Sequence, residues 1–195
     1  MASHLYGATL MGRELGPTLQ HFDEPVRNMH AVADATVVFG HTDIDHGTSS
    51  LSSLVTWFFG FPAPGRALPT TITVVSDGTS EIWHRRFANH PILTRLESGC
   101  SAQPTIVERF RFGVAFDLRV VQQRGRLSFQ VVGMSICGVP MPEWLWPILK
   151  AEERAEKGGF RFDIDIGMHW TGRLIRYHGW VRAGDRRDEG RGVKD

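Results

Sequence analysis

Cysteine is scarce in this chain, with two in 195 residues. Cys100 and Cys137 lie far apart and share no CxxC or CxxH spacing, which argues against a zinc site or a redox motif. Two buried thiols in a reducing compartment are the expectation. Charge of one sign is also missing: Lys and Arg number 22, Asp and Glu 21, and the formal charge is +1. No field therefore advertises nucleic acid, an anionic membrane or a polyacidic substrate. Long apolar runs are absent too. The most apolar stretch, LVTWFFGF from Leu54 to Phe61, is far too short to span a bilayer, and the N-terminal MASHLYGATLMG has no basic segment followed by an apolar run. A cytoplasmic protein with no membrane span is expected. No Gly-rich phosphate loop opens a helix, and neither GxSxG nor HExxH occurs, which argues against a nucleotide-dependent enzyme, a serine hydrolase of that type and a zincin. A chemistry without cofactor or metal is the expectation.

What is present is enough apolar material, 42% of residues, for one sizeable core, and no composition break divides it. The spacing predicts a helix from Pro17 to about Ala31, carrying Leu19, Phe22, Val26, Met29 and His30. Clustered β-branched residues follow from Thr36 to Ile44. A second helix starts at the HGTSS cap residues, with Leu51, Leu54, Val55, Phe58 and Phe59 as one stripe, and ends at Gly60 and Pro62. Beyond Pro69 the period becomes two. TTITVV and EIWHRRF flank Asp77-Gly78, a hairpin signal, and ILTRLES, TIVERFRF, VAFDLRVV, RLSFQVVGMSI, FRFDIDI and LIRYHGWV alternate in the same way. Only PEWLWPILKAEERAEK interrupts, as a third helix kinked at Pro147. The pattern is α+β and β-rich: about eight antiparallel strands in a curled or closed, barrel-like sheet with two or three flanking helices. A single domain over residues 1–182 and a disordered tail over 183–195 complete the expected organisation.

Several landmarks recur in a recognisable order: LGP (Leu15–Pro17), MH (Met29–His30), FGFP (Phe59–Pro62), WHRRF (Trp83–Phe87), ERF (Glu108–Phe110), GVPMP (Gly138–Pro142), FRFDIDI and RYHGW (Arg176–Trp180). In this ordered set, from about Leu15 to Val181, the chain resembles the bacterial DUF4166 family, a domain of unknown function. The resemblance implies an oxidoreductase as a partner, because the family also occurs joined to short-chain or saccharopine-dehydrogenase-like domains. Family members tend to carry a Pro-Leu-like pair before the glycine of the last hairpin. GMHWTG, Gly167 to Gly172, departs from this at His169 and Trp170, which marks His169 as a candidate ligand contact peculiar to this chain.

The candidate chemistry rests on strand parity. TIVERFRF puts Ile106, Glu108, Phe110 and Phe112 on one face, so Glu108 sits among large apolar neighbours. Desolvation there would raise the carboxyl pKa toward that of a general acid or base. The alternative is a glutamate paired with an arginine of the next strand. In EIWHRRF, Glu81, Trp83, Arg85 and Phe87 share a face, making Arg85 the partner for Glu108, stacked between aromatic rings. In LIRYHGWV, Tyr177 could donate to a substrate oxygen and His178 titrates in the useful range, while Trp180 would help Trp83 shape a pocket. His30, at a helix C-terminus, is favoured in its charged form without needing a catalytic role. His41, Asp43, Asp45 and His46 in HTDIDH are more simply a solvated edge or loop than a metal site. Asp163 and Asp165 of FRFDIDI lie about 7 Å apart on one strand face, a spacing met in inverting glycosidases but common in any alternating strand. They are expected to be solvated or arginine-paired, unless the sheet closes with its polar face inward.

The expected function is a cofactor-independent acid–base enzyme, a cyclase, isomerase or dehydratase, acting on a hydrophobic oxygenated small molecule such as a polyketide intermediate. Glu108, Arg85 and Tyr177 are its catalytic candidates, and Trp83, Phe110, His169 and Trp180 its ligand contacts. The alternative is a non-catalytic carrier of a lipid-like ligand working with an oxidoreductase. A homodimer is compatible with either.

Overall fold

The computed structural model describes residues 9–123 and 125–184. Eleven strands form one antiparallel sheet: β1 (Ala35–His46), β2 (Gly65–Ser76), β3 (Ser80–Phe87), β4 (His90–Ser98), β5 (Thr105–Arg109), β6 (Val114–Gln123), β7 (Arg126–Ile136), β8 (Val139–Pro140), β9 (Ile148–Glu156), β10 (Gly159–Met168) and β11 (Gly172–Ala183). Their order is β6-β5-β4-β3-β2-β1-β11-β10-β9-β7-β8, and a further β6–β7 pairing closes the ring. Ten strands thus make a closed barrel, and β8 lies outside it. The expected closed α+β architecture is present, with more strands than eight because β1 and β9 join the wall.

Closure demands strong coiling, and two glycines permit it. A Cβ on Gly40 of β1 would collide with the backbone carbonyl of Trp180, and one on Gly179 of β11 with that of His41. Only a residue without a side chain lets these paired strands approach so closely at that bend.

Alternation decides the inside. Phe160, Phe162 and Ile164 of β10 are buried, and with Leu118, Leu127, Phe129, Val74 and Val181 they belong to one core cluster. The opposite face of β10 carries Asp163 and Asp165, held by bidentate pairs with Arg176 at 3.0 and 2.7 Å and with Arg173 at 2.9 and 2.7 Å. The barrel therefore closes with its apolar face inward, and the aspartates are arginine-paired on the outer wall. A charged outer wall is the inverse of the lipid-facing band of a membrane barrel. No helix among the described residues is long and apolar enough to cross a membrane.

The helices are α1 (Leu10–Leu15), α2 (Glu24–His30) and α3 (Ser50–Phe59), with a 3-10 segment at Gly16–His21. The single helix expected over Pro17–Ala31 is broken instead. A continuous helix would bury Pro25 in its interior and lose a hydrogen bond, whereas a fresh start puts Pro25 in the first turn of α2. α1 and α2 stopper the lower end of the barrel, burying Leu10, Met11, Leu15, Val26 and Met29 against the strands.

Three further expectations are corrected. PEWLWPILKAEERAEK is not a kinked helix: a 3-10 turn at Glu143–Leu145 leads into β9. Its Ala, Glu, Lys and Arg content favours a helix locally, but backbone pairing with β10 and β7 and the inward parity of Leu149, Ala151, Glu153 and Ala155 override that preference. TIVERFRF stops as a strand at Arg109, and Phe112 has φ +60°, so Phe110 and Phe112 leave the strand parity. The thiols of Cys100 and Cys137 belong to exposed residues rather than buried ones, because both sit in connections between strands. The expected tail lies, from Asp185 onward, outside the described residues, and β11 runs through Ala183.

Candidate functional site

Inside the barrel is a cavity of about 200 Å³, more than ten times the roughly 10–15 Å³ that one water requires on this measure. Its walls are mostly Leu, Ile, Val, Phe and Met. Four strands and one helix end supply its inner polar groups, His30, Arg85, Glu108, Glu153 and Tyr177, with the indole of Trp83 among them, and Arg111 of the β5–β6 connection adds a guanidinium at the rim.

The inward parity of β3 places Glu81, Trp83 and Arg85 in a row. Trp83 Nε1 donates to Glu81 Oε2 at 2.9 Å, and Arg85 lies over the Trp83 ring at 4.8 Å from its centroid. Arg85 also donates to Thr94 Oγ1 at 2.8 Å and to Glu108 Oε1 at 3.2 Å. The Arg85 and Glu108 side chains are only 17% and 15% exposed. The pairing expected between them is therefore present, inside the barrel.

His30 and Glu153 form a second pair. His30 ends α2 under the barrel, with its ring 5.7 Å from that of Trp83 and 5.9 Å from that of Phe160. Its Nε2 lies 2.6 Å from Glu153 Oε2, and both residues are buried. Burial opposes charge on the imidazole, but the adjacent Glu153 carboxylate outweighs it, and the His30 pKa lies above its ordinary 6.5. The charged form donates from Nε2 to Glu153. His30 Nδ1 is buried with no hydrogen-bond partner among the described residues.

Glu81 is fully buried, and burial pushes its pKa up; the bond from Trp83 and the nearby His30 only partly offset this. Tyr177 packs against Phe87 and Phe162, with ring centroids 5.7 and 6.2 Å away. Burial pushes its phenol up to about 12, while Arg85 pulls it the other way. It remains a hydroxyl donor across the neutral range, and no hydrogen bond is made to that hydroxyl among the described residues.

Of the residues singled out in the sequence, Glu108, Arg85, Tyr177, Trp83 and Phe110 line the cavity together. Trp180 and His169 do not. The strand parity that turns Tyr177 inward turns Trp180 out, where it is 40% exposed and lies beside His41 and Arg182. His169 sits exposed in the β10–β11 turn. In HTDIDH, Asp45 pairs with Arg66 at 2.7 Å, Asp43 accepts from the Ala67 amide at 2.7 Å and His46 meets the Pro62 carbonyl at 2.7 Å, all on a central strand rather than an edge or loop. Among the described residues, no group of three or more His, Cys, Asp or Glu is arranged to hold a metal ion.

Sequence reasoning missed Glu153 altogether. Its signal was the alternation Leu149-Ala151-Glu153-Ala155, an acid at an inward position flanked by alanines, which a helical reading conceals.

Fold and site together define a closed antiparallel β-barrel whose apolar interior holds a small set of paired ionisable groups. The chain belongs to the DUF4166 family, a domain of unknown function, whose model matches residues 22–181. No curated protein and no solved structure matches it.

Proposed function

We propose that the barrel binds a hydrophobic oxygenated small molecule and carries out acid–base chemistry on it, as an isomerase, cyclase or dehydratase. The observation that carries this reading is the pairing of His30 with Glu153 and of Arg85 with Glu108 inside an otherwise apolar cavity that Tyr177 also lines. The charges cancel within each pair, so the interior favours a neutral ligand over an anion. Three donors remain inside for ligand oxygens, the Tyr177 hydroxyl, the unpartnered His30 Nδ1 and the guanidinium of Arg85, with Arg111 a fourth at the rim.

In this reading Glu108 takes a proton from a carbon next to a ligand carbonyl. The C–H electron pair forms a new carbon–carbon double bond, and the carbonyl oxygen, becoming an enol, takes a proton from His30 or is held by Tyr177. Arg85 orients Glu108 and stabilises negative charge developing on that oxygen. Return of the proton to another carbon isomerises the ligand; attack of the enol on a second carbonyl closes a ring; loss of a β-hydroxyl with a proton dehydrates it.

A carrier role is the second reading, and the predominance of Leu, Ile, Val, Phe and Met in the lining favours it, since such a wall holds an apolar ligand without any chemistry. Native mass spectrometry of the purified protein identifies any co-purified ligand, and incubation with that compound separates the two. Chemistry predicts a product of changed connectivity whose formation Glu108→Gln slows by about 10²-fold or more while the compound still binds. An unaltered compound would leave carriage, and equal turnover by folded Glu108→Gln would remove Glu108 from the reaction.

A further inference from the structure

The two ends of this barrel are chemically unlike. In an antiparallel barrel alternate connections share an end, so α3, the β3–β4 turn, the β5–β6 connection, the chain from β7 to β9 and the β10–β11 turn all gather at the upper one. Contacts tie them together: His90 Nε2 to the Gly60 carbonyl at 2.8 Å, Ser49 Oγ to the Thr171 carbonyl at 3.2 Å, the Cys137 amide to the Gly113 carbonyl at 2.8 Å, and Phe58 stacked on Phe112 at 5.8 Å. From Gly47 to Gly65 there is no Asp, Glu, Lys or Arg. The other upper connections add one arginine, Arg111, and one glutamate, Glu143.

α3 is also turned inside out. Its buried residues are Ser52 and Thr56, whose hydroxyls bond back to the backbone carbonyls of Ser49 and Ser52, while Leu51, Leu54, Trp57 and Phe58 face solvent. Leu54 is 57% exposed, Trp57 77% and Phe58 58%; Phe112, Trp144 and Trp170 at the same end are 54%, 65% and 46% exposed. Such a concentration of large apolar groups on one face marks an interaction surface. The cavity reaches this face, since Phe59, Phe61, Phe110, Arg111 and Met168 line it.

We infer that the upper face docks on a lipid bilayer, with α3 lying in the interface and Trp57 and Phe58 inserted below the headgroups. Three observations favour a lipid surface over a protein. The connections that form the face carry one arginine, one glutamate and no tyrosine, and the arginines at the bordering strand ends, Arg66, Arg109 and Arg173, are paired with Asp45, Glu97 and Asp165, whereas protein contacts enrich arginine and tyrosine. Tryptophan, phenylalanine and leucine beside a polar helix face are the residues that seat in the headgroup boundary. The rim also borders the opening of an apolar cavity, so a ligand leaving a bilayer would enter without crossing water. This last point rests on the proposed ligand-binding role.

Flotation of the full chain with phosphatidylcholine vesicles, and with mixed phosphatidylcholine–phosphatidylglycerol vesicles, tests the inference. Binding to both, little changed by added salt, is expected, and the double variant Trp57→Ser, Phe58→Ser should lower it by about tenfold or more. Ile82→Ser on the outer wall should leave it unchanged. Uptake of the apolar fluorophore 1-aminoanthracene, measured without vesicles, should be equal in wild type and double variant; this establishes that the variant is folded and reports on the cavity separately. Loss of dye uptake with vesicle binding retained would sink the ligand reading alone. No binding of the wild type, binding only to anionic vesicles that salt abolishes, or equal binding by the double variant would overturn the docking inference. So would a wild-type dimer that the double variant dissolves.

Discussion

Ion pairs occur on both sides of the barrel wall, and they differ in almost everything but their distances. Outside, Asp163–Arg176 and Asp165–Arg173 are bidentate, with the side chains of the first pair 32% and 38% exposed. Inside, His30–Glu153 and Arg85–Glu108 are each joined through a single contact, with little exposure. A water-facing pair exchanges hydration for a contact of similar worth, so its net contribution is small. A buried pair has lost hydration it can recover only from its partner, so removing one member strands the other. Ideal geometry therefore identifies the less consequential pairs, and imperfect geometry in a dry place the more consequential ones.

The sharpest way to break this comparison is Glu153→Ala, which leaves His30 buried without its counter-charge. A loss of about 3–5 kcal/mol in urea unfolding is expected for breaking a buried pair, and a loss below about 1 kcal/mol would put the inner pair in the same class as the outer ones. Glu153→Gln, which keeps an acceptor for His30 Nε2, should lose less.

Next in size is the response to pH, where the two sides have opposite signs. The His30 pKa is raised above 6.5 in the folded state, so its contribution is complete below that value and is lost as pH rises through the raised one. Glu81, raised above 4.5 by burial, adds the same sign. Asp163 is lowered below 3.8 by its bonds from Arg176, so its contribution is present above 3.8 and is lost on acidification. Thermal melting should therefore show a fall on the alkaline side that His30→Gln flattens, and a fall on the acid side that His30→Gln leaves in place. An alkaline limb identical in His30→Gln would remove the inner pair from the account.

The smallest effect is expected at Asp163→Asn, at most about 1 kcal/mol and weaker still in high salt. A larger loss would mean that the outer wall is structurally more than a solvated surface.

Much of this was legible in the sequence where one period ran without interruption. The strand alternation of FRFDIDI fixed both its buried phenylalanines and its outward aspartates, and the parity of EIWHRRF and TIVERFRF brought Arg85 to Glu108. Legibility ended where a local preference and a long-range pairing disagreed. ILKAEERAE has helical composition and became a strand because β10 and β7 offered it backbone partners, which hid Glu153 and with it the reason for His30's burial. α3 failed differently: its stripe gave the correct helix, but periodicity tells which residues share a face and not which way that face turns. Trp180 shows the limit of choosing by residue type, since it stands one position out of step with Gly179 and Val181, which face the interior.

The wall itself is uneven. β6 and β7 pair along their whole length, whereas β7 meets β9 only at Leu127, Ser128 and Phe129. Above Phe129 the two strands part, and Leu145 and Pro147, from the segment that joins them by way of β8, supply the lining there. A continuous ladder opens only by breaking many hydrogen bonds together, but a short one can part on its own. Amide exchange at Gln130–Met134 and Ile148–Lys150 should therefore outpace that of β10 and β11, marking a place where the wall can breathe while the rest of the barrel holds.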